Sequence, residues 1–244
     1  MFKFQQFQHV PHVVGYCGDG AFSLLHYYTT FHLEKLETFN TLELGVHHGQ
    51  YFLALENLTP ESGIATAVDV FGDQHKNTSW SGKGNINSFN TAVERFAKHP
   101  DRIQVIQEDT MDLTVEQLGG KSKYAMISID ASHTAAHTVN DLALCAELVT
   151  GTGIILLDDV FNEHFSGVIT GAVKYFLEEH RIVPVAVGFG KLVCCHASYK
   201  HELLNEMIKH QQELKKMYNI KTYGITEFVG HSIVSFYGGE LTQT

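Results

Sequence analysis

The chain has 244 residues, of which 44% are hydrophobic and 18% charged, so it can bury a core and is too apolar for disorder. A formal net charge of -10 argues against a nucleic-acid phosphate backbone or an anionic membrane surface as partner. The four cysteines (Cys17, Cys145, Cys194 and Cys195) form neither a disulfide framework nor a zinc-ribbon spacing, and no run approaches the roughly 20 apolar residues of a membrane-spanning helix.

Residues 1–20 carry one lysine and no long apolar run, unlike a signal peptide, so a cytoplasmic protein in a reducing compartment is expected. Residues 21–36 read as an added N-terminal helix, whose Phe22, Tyr27, Tyr28 and Phe31 suit core or a subunit contact. Strands are expected at 41–46, 64–70, 103–107, 124–130 and 153–158, each short, rich in Val, Ile or Leu, and followed by polar or glycine residues. Helices are expected between them at 50–58, 87–98, 115–118 and 135–149. This alternation predicts an α/β fold, Rossmann-like and doubly wound, with helices on both faces of a mostly parallel sheet. Further on, 171–179 reads as a helix, 182–187 and 191–195 as an antiparallel hairpin at a sheet edge, 201–217 as one helix, and 227–237 as a last strand. Seven strands are expected in the sheet, with its antiparallel edge at the C-terminus. With no repeat or linker, one domain is expected: an N-terminal extension (1–40), a core (41–197) and a C-terminal helix and strand (198–244).

The polar segment 71–84, with Trp80 in its middle, suits a lid over a site. The run Glu43-Leu44-Gly45-Val46-His47-His48-Gly49 follows a strand and opens a helix. Its glycines let backbone approach a ligand, and the helix start offers free N–H groups. The spacing is Gly-x-x-x-Gly, not the Gly-x-Gly-x-x-Gly of dinucleotide binders, which weakens the alternative of an NAD(P)-dependent oxidoreductase. Asp69 ends the second strand, where an acid can grip two ribose hydroxyls, and Glu108-Asp109 ends the third, within reach of an adenine amine. Asp130, Asp158 and Asp159 end the fourth and fifth strands, on the crevice side. Three carboxylates so close call for a cation, Mg²⁺ or another divalent ion. His133, three residues after Asp130, is placed to take a proton from a hydroxyl beside such an ion.

Other groups read as less functional. His47 and His48 suit local hydrogen bonding. His137 lacks a third soft ligand for zinc, and Asp141 is placed either to orient His137 or, as the simpler expectation, to face solvent. Cys194-Cys195, with only His196 beside it, suits a buried strand, while His164 is placed to touch substrate.

With Glu43, Gly45, Asp69 and Asp109 in register at successive strand ends, the chain resembles the class I S-adenosylmethionine (SAM) dependent methyltransferases. Within them, Glu43 to Gly49, Val-Asp-Val-Phe at Val68 to Phe71, Ile-Asp-Ala-Ser-His at Ile129 to His133, and Asp158-Asp159 resemble the metal-dependent sugar O-methyltransferases of macrolide and polysaccharide biosynthesis. Ala131 departs from the glycine of many relatives. The resemblance spans about residues 40 to 197. It implies a SAM site of Glu43, Gly45, Val46, His47 and Gly49 in the first turn, Asp69 and Val70 after the second strand, Asp109 and Thr110 after the third, and Asp130 after the fourth. It implies metal ligation by Asp130, Asp158 and Asp159 and a general-base role for His133. The reaction implied is methyl transfer to a hydroxyl of a small, sugar-containing acceptor. A non-catalytic SAM-binding module is a further alternative, and a dimer through the N-terminal helix is one option for the oligomeric state.

Overall fold

The computed structural model describes residues 7–33, 39–77, 79, 82–178, 181–218 and 222–237. In chain order the main elements are α1 (Asp19–Tyr28), β1 (Asn40–Leu44), α2 (Gln50–Leu58), β2 (Ala65–Asp69), α3 (Ile86–Phe96), β3 (Ile103–Gln107), β4 (Tyr124–Ile129), α4 (Ala135–Leu148), β5 (Val149–Leu157) and α5 (Ser166–Phe176). They continue with β6 (Ile182–Gly188), β7 (Lys191–His196), α6 (Lys200–Lys209), α7 (Gln211–Tyr218), β8 (Thr222–Phe228) and β9 (His231–Tyr237).

Among the described residues one nine-stranded sheet runs in the order β3-β2-β1-β4-β5-β7-β6-β9-β8. The first five strands are parallel. β7 is antiparallel to β5 and to β6, β9 is parallel to β6, and β8 closes the sheet as an antiparallel edge. Strand order reverses between β1 and β4, which opens a crevice beyond their carboxyl ends. Met126 of β4 is buried in the layer with α1, and its neighbour Ile127 in the layer with α4 and α5, as alternation along a strand requires. Phe22, Tyr27 and Tyr28 are fully buried and Phe31 packs against them, so this aromatic set is core. Among the described residues no helix is long and apolar enough to cross a membrane, and all four cysteines are free, Cys145, Cys194 and Cys195 being buried.

The observed sheet has nine strands against the seven expected, and the extra pair explains the difference. The turn Val229-Gly230, with φ of 49° and 75°, splits the expected last strand into the β8–β9 hairpin. Both φ values are positive, as a tight two-residue hairpin turn needs. Because β9 then joins β6, the β6–β7 hairpin lies inside the sheet rather than at its edge. Residues 115–118 form turns rather than a helix. The helix expected at 171–179 starts five residues earlier, at Ser166. Gly171 sits inside it because a Cβ there would come within 2.6 Å of Thr138 on α4. The helix expected at 201–217 breaks at His210, whose ring packs on Phe31 with centroids 4.6 Å apart. The N-terminal helix ends at Tyr28 and passes into a wider turn over Thr29–Leu33, where the Thr29 hydroxyl donates to the Leu25 carbonyl. Residues 34–36 of that expected helix lie outside the described residues, as does Trp80.

Candidate active site

A cavity of about 590 Å³ fills the crevice over β1 and β4, within the size range of small-ligand sites. One wall is the β1–α2 turn. Gly45 has φ of +85°, and a Cβ on it would stand 2.0 Å from the carbonyl oxygen of Asp130, so only glycine fits between the two strand ends. Gly49, at φ +93°, starts α2 and lies outside the cavity wall, so its part is to shape the turn. His47 also has positive φ, at 56°.

That turn presents its main chain to Asp69. His47 N–H donates to Asp69 Oδ2 at 2.7 Å and Phe71 N–H to Oδ1 at 2.5 Å. Burial nevertheless pushes the Asp69 carboxyl above its ordinary range. Residues 82–84 pass over this corner: a Cβ on Gly84 would lie 2.8 Å from Asp69 Oδ1, and one on Gly82 within 2.7 Å of the His47 ring. Deeper in, Glu43 is buried. The Ser128 hydroxyl donates to its Oε1 at 3.2 Å, and Oε2 has no partner. Burial holds the Glu43 carboxyl well above the usual carboxylate range. At the far end, Asp109 accepts from the Met111 N–H at 3.0 Å and faces His137 Nε2 at 3.5 Å, while Lys76 pairs with Glu108 at 2.5 Å. Val46, Val70, Thr110 and Asp130 complete the predicted cofactor residues that line the cavity.

The opposite wall carries paired charges. His133 Nε2 lies 3.2 Å from Asp159 Oδ2 and 3.6 Å from Asp130 Oδ1, and its ring stacks on Phe165 with centroids 3.8 Å apart. Burial disfavours the imidazolium, but the two carboxylates outweigh it and hold the His133 pKa up at about 9. Asp159, at φ 59°, also accepts from Asn162 Nδ2 at 2.9 Å. Burial works against its charge, yet His133 and Asn162 bring its pKa below the ordinary value.

The three expected metal ligands do not fall into one set. Asp130 and Asp159 flank His133, and these three offer ligand atoms within 4.8 Å of one another. Asp158 pairs instead with Lys191, and its Oδ1 accepts the Asp159 N–H at 2.9 Å. The Lys191 side chain is only 1% exposed, and its ammonium sits 4.4 Å above the Tyr51 ring. Burial alone would lower its pKa, but Asp158, Cys17, Tyr51 and Asp130 hold it well above the ordinary value.

Sequence reasoning missed Lys191, and also the residues that seal this corner. Phe189-Gly190 forms a two-residue turn with φ of 54° and 80°, which sets Lys191 opposite Gly188 at the strand end. That turn was the available signal, because it puts position 191 at the crevice. Residues 14–18 form another cavity wall, held by Gln50, whose Nε2 donates to the Val10 and Val13 carbonyls at 3.0 Å each. Other expectations fare unevenly. Asp141 is buried rather than solvated, and its burial raises its pKa to about 7. His164 is 79% exposed and not on the cavity wall. His137 faces Asp109 and Thr134 Oγ1. His196 bonds Ser198 rather than a thiol, and Cys194 and Cys195 are fully buried.

Residues 42–160 match the family model of a methyltransferase domain. That match covers just under half of the chain, and the strand order above is that of the class I methyltransferase fold. Solved structures share the fold. A protein from Corynebacterium glutamicum is 12% identical over 75% of this chain and 83% of its own, with a TM-score of 0.56. An SAH-bound methyltransferase from Podospora anserina is 20% identical over 71% of this chain and 78% of its own, with a TM-score of 0.51. An O-methyltransferase from Bacillus cereus in complex with SAH is 16% identical over 73% of this chain and 81% of its own, with a TM-score of 0.53. No curated protein matches the chain significantly.

Proposed function

We propose that the chain transfers a methyl group from SAM to a hydroxyl of a small, sugar-containing acceptor. The observation that carries this reading is the position of His133, between two carboxylates, on the wall of the same cavity that holds the glycine turn and Asp69. The SAM-bearing half would be the turn from Glu43 to Gly49 with Asp69, Val70, Asp109, Thr110 and Asp130. The bare Glu43 Oε2 suits the cofactor's ammonium, and the remaining lone pairs of Asp69 suit a ribose diol. Ser132 Oγ, buried in the wall without a partner, suits a polyhydroxylated acceptor. The reading treats the chain as one functional unit, with residues 41–197 as the cofactor-binding core, and takes it as cytoplasmic; a homo-oligomer is compatible with it.

In this mechanism the His133 imidazole accepts the proton of the acceptor hydroxyl, and Asp130 and Asp159, which face its Nε2, stabilise the imidazolium that forms. SAM, when bound, would supply an electrophilic methyl carbon to the acceptor oxygen and leave as S-adenosylhomocysteine. Holding oxygen and methyl in line supplies much of the rate. A pKa of about 9 makes His133 a strong proton acceptor once neutral, although at pH 7 only about one molecule in a hundred is neutral.

A second reading keeps a divalent cation. Asp130, His133 and Asp159 have the donor types and spacing for Mg²⁺ or a similar ion. Such an ion would lower the pKa of a bound hydroxyl. His133 would then be a ligand rather than the base, so the two readings exclude each other. Incubation with methyl-labelled SAM and a panel of sugars and glycosides, with Mg²⁺ or with a chelator, tests both. The first reading expects labelled methyl ethers in either condition. Loss of product with the chelator would favour the second. Label found only on nitrogen or carbon acceptors would refute hydroxyl transfer.

A further inference from the structure

The carboxylate Asp158 stands where a cation is called for, and the protein places one of its own there. Lys191 Nζ bonds Asp158 Oδ2, and the second oxygen of Asp158 is taken by the Asp159 N–H. Asp158 and one aromatic ring hold the ammonium, and the turn that precedes Lys191 is itself packed in place. Tyr51 presents its ring face 4.4 Å away, an attractive contact for a desolvated cation. The tight turn Phe189-Gly190 sets the start of β7, and a Cβ on Gly190 would lie 3.5 Å from Asp158 Oδ1. Phe189 in turn lies so close to α1 that a Cβ on Gly20 would meet its ring at 2.0 Å. One oxygen each of Asp130 and Asp158 lies within 4.8 Å of the other and of the neutral Cys17 thiol, and both carboxylates raise the pKa of this ammonium, so it faces the acidic groups of the inner wall.

We infer that Lys191 is the resident cation of the inner seat and that Asp158 is therefore its counter-ion, not a metal ligand. A divalent ion touching Asp158 would meet a fixed like charge in a buried setting, where repulsion is poorly screened. Lys191 is thus a positioning residue. It holds Asp158 in the cavity wall and leaves only the outer set, Asp130, His133 and Asp159, open to an ion. Methyl transfer itself does not depend on this assignment.

Manganese binding, read by electron paramagnetic resonance without SAM or acceptor, tests it separately from the function. In the otherwise wild-type protein, Asp158→Asn is expected to change Mn²⁺ affinity less than about twofold. Lys191→Met, which removes the charge and keeps much of the volume, is expected to bind Mn²⁺ at least about tenfold more tightly. That gain should vanish when Asp158→Asn is added, and Lys191→Arg should show none. Two results would overturn the assignment: Mn²⁺ binding by the wild type that weakens tenfold or more on Asp158→Asn, or a folded Lys191→Met protein with no gain. Should Lys191→Met fail to fold, the comparison of wild type with Asp158→Asn decides alone.

Discussion

The two ends of the cavity hold their carboxylates by different means. At the Asp69 end, backbone does the holding: two main-chain N–H groups grip Asp69, and a third caps Asp109. At the His133 end, side chains hold one another: His133 lies between Asp130 and Asp159, and Lys191 sits against Asp158. A backbone cradle leaves the remaining lone pairs of a carboxylate free for a neutral, hydroxyl-rich ligand. An ion-paired cluster stores charge that can shift when a proton moves. On the proposed function the difference separates a binding half from a reacting half, and substitutions at the two ends should fail in different ways.

The largest effect belongs to the joint between the halves. Gly45→Val would drive a Cβ into the Asp130 carbonyl at a φ of +85°. It should cost on the order of 3 kcal/mol of stability and remove SAM binding. Thermal unfolding and a SAM titration would show both. Next comes His133→Ala, expected to lower turnover by roughly 10²-fold or more while SAM binding stays nearly unchanged. In the wild type, turnover should rise with pH and level off near 9, because only neutral His133 can accept the proton. Stability carries the opposite sign. A histidine pKa raised on folding contributes fully below about 6.5 and is lost as pH rises through about 9, so pH-dependent unfolding should show that decline and His133→Ala should abolish it. Asp69→Ala should weaken SAM by about 10- to 100-fold and leave the pH profile in place. A shifted profile would break the separation of the halves. The smallest effect is expected from Lys76→Met. Its partner Glu108 is about as exposed as Lys76 itself, so SAM affinity should move by no more than about fivefold.

The binding half was the more legible in the sequence. Strand ends followed by glycine or an acid are local signals, and Glu43, Gly45, Asp69 and Asp109 all stand on the cavity wall. Short parallel strands, all but β3 followed by an α-helix, made β1 to β5 readable in order. The reacting half depends on partners far apart in the chain. Asp158 and Lys191 are separated by 33 positions, and nothing local to Asp158 announces a buried ammonium. Asp141 was misjudged for a similar reason: its helix position looked solvent-facing, but Asn140 and Thr110 cover it. The extra hairpin was hidden by Val229, a residue that rarely adopts positive φ and so gives no turn signal, although Gly230 beside it does. Packing of 14–18 onto α2 rests on Gln50, a polar residue whose burial has no periodic signature.

The most direct test of the central claim is calorimetric titration of the protein with SAM, with NAD as the parallel ligand, each with and without Mg²⁺. The account predicts saturable SAM binding in both conditions and none for NAD, since the turn is Gly-x-x-x-Gly rather than the Gly-x-Gly-x-x-Gly of dinucleotide binders. Binding of NAD alone, or of neither ligand, would contradict it.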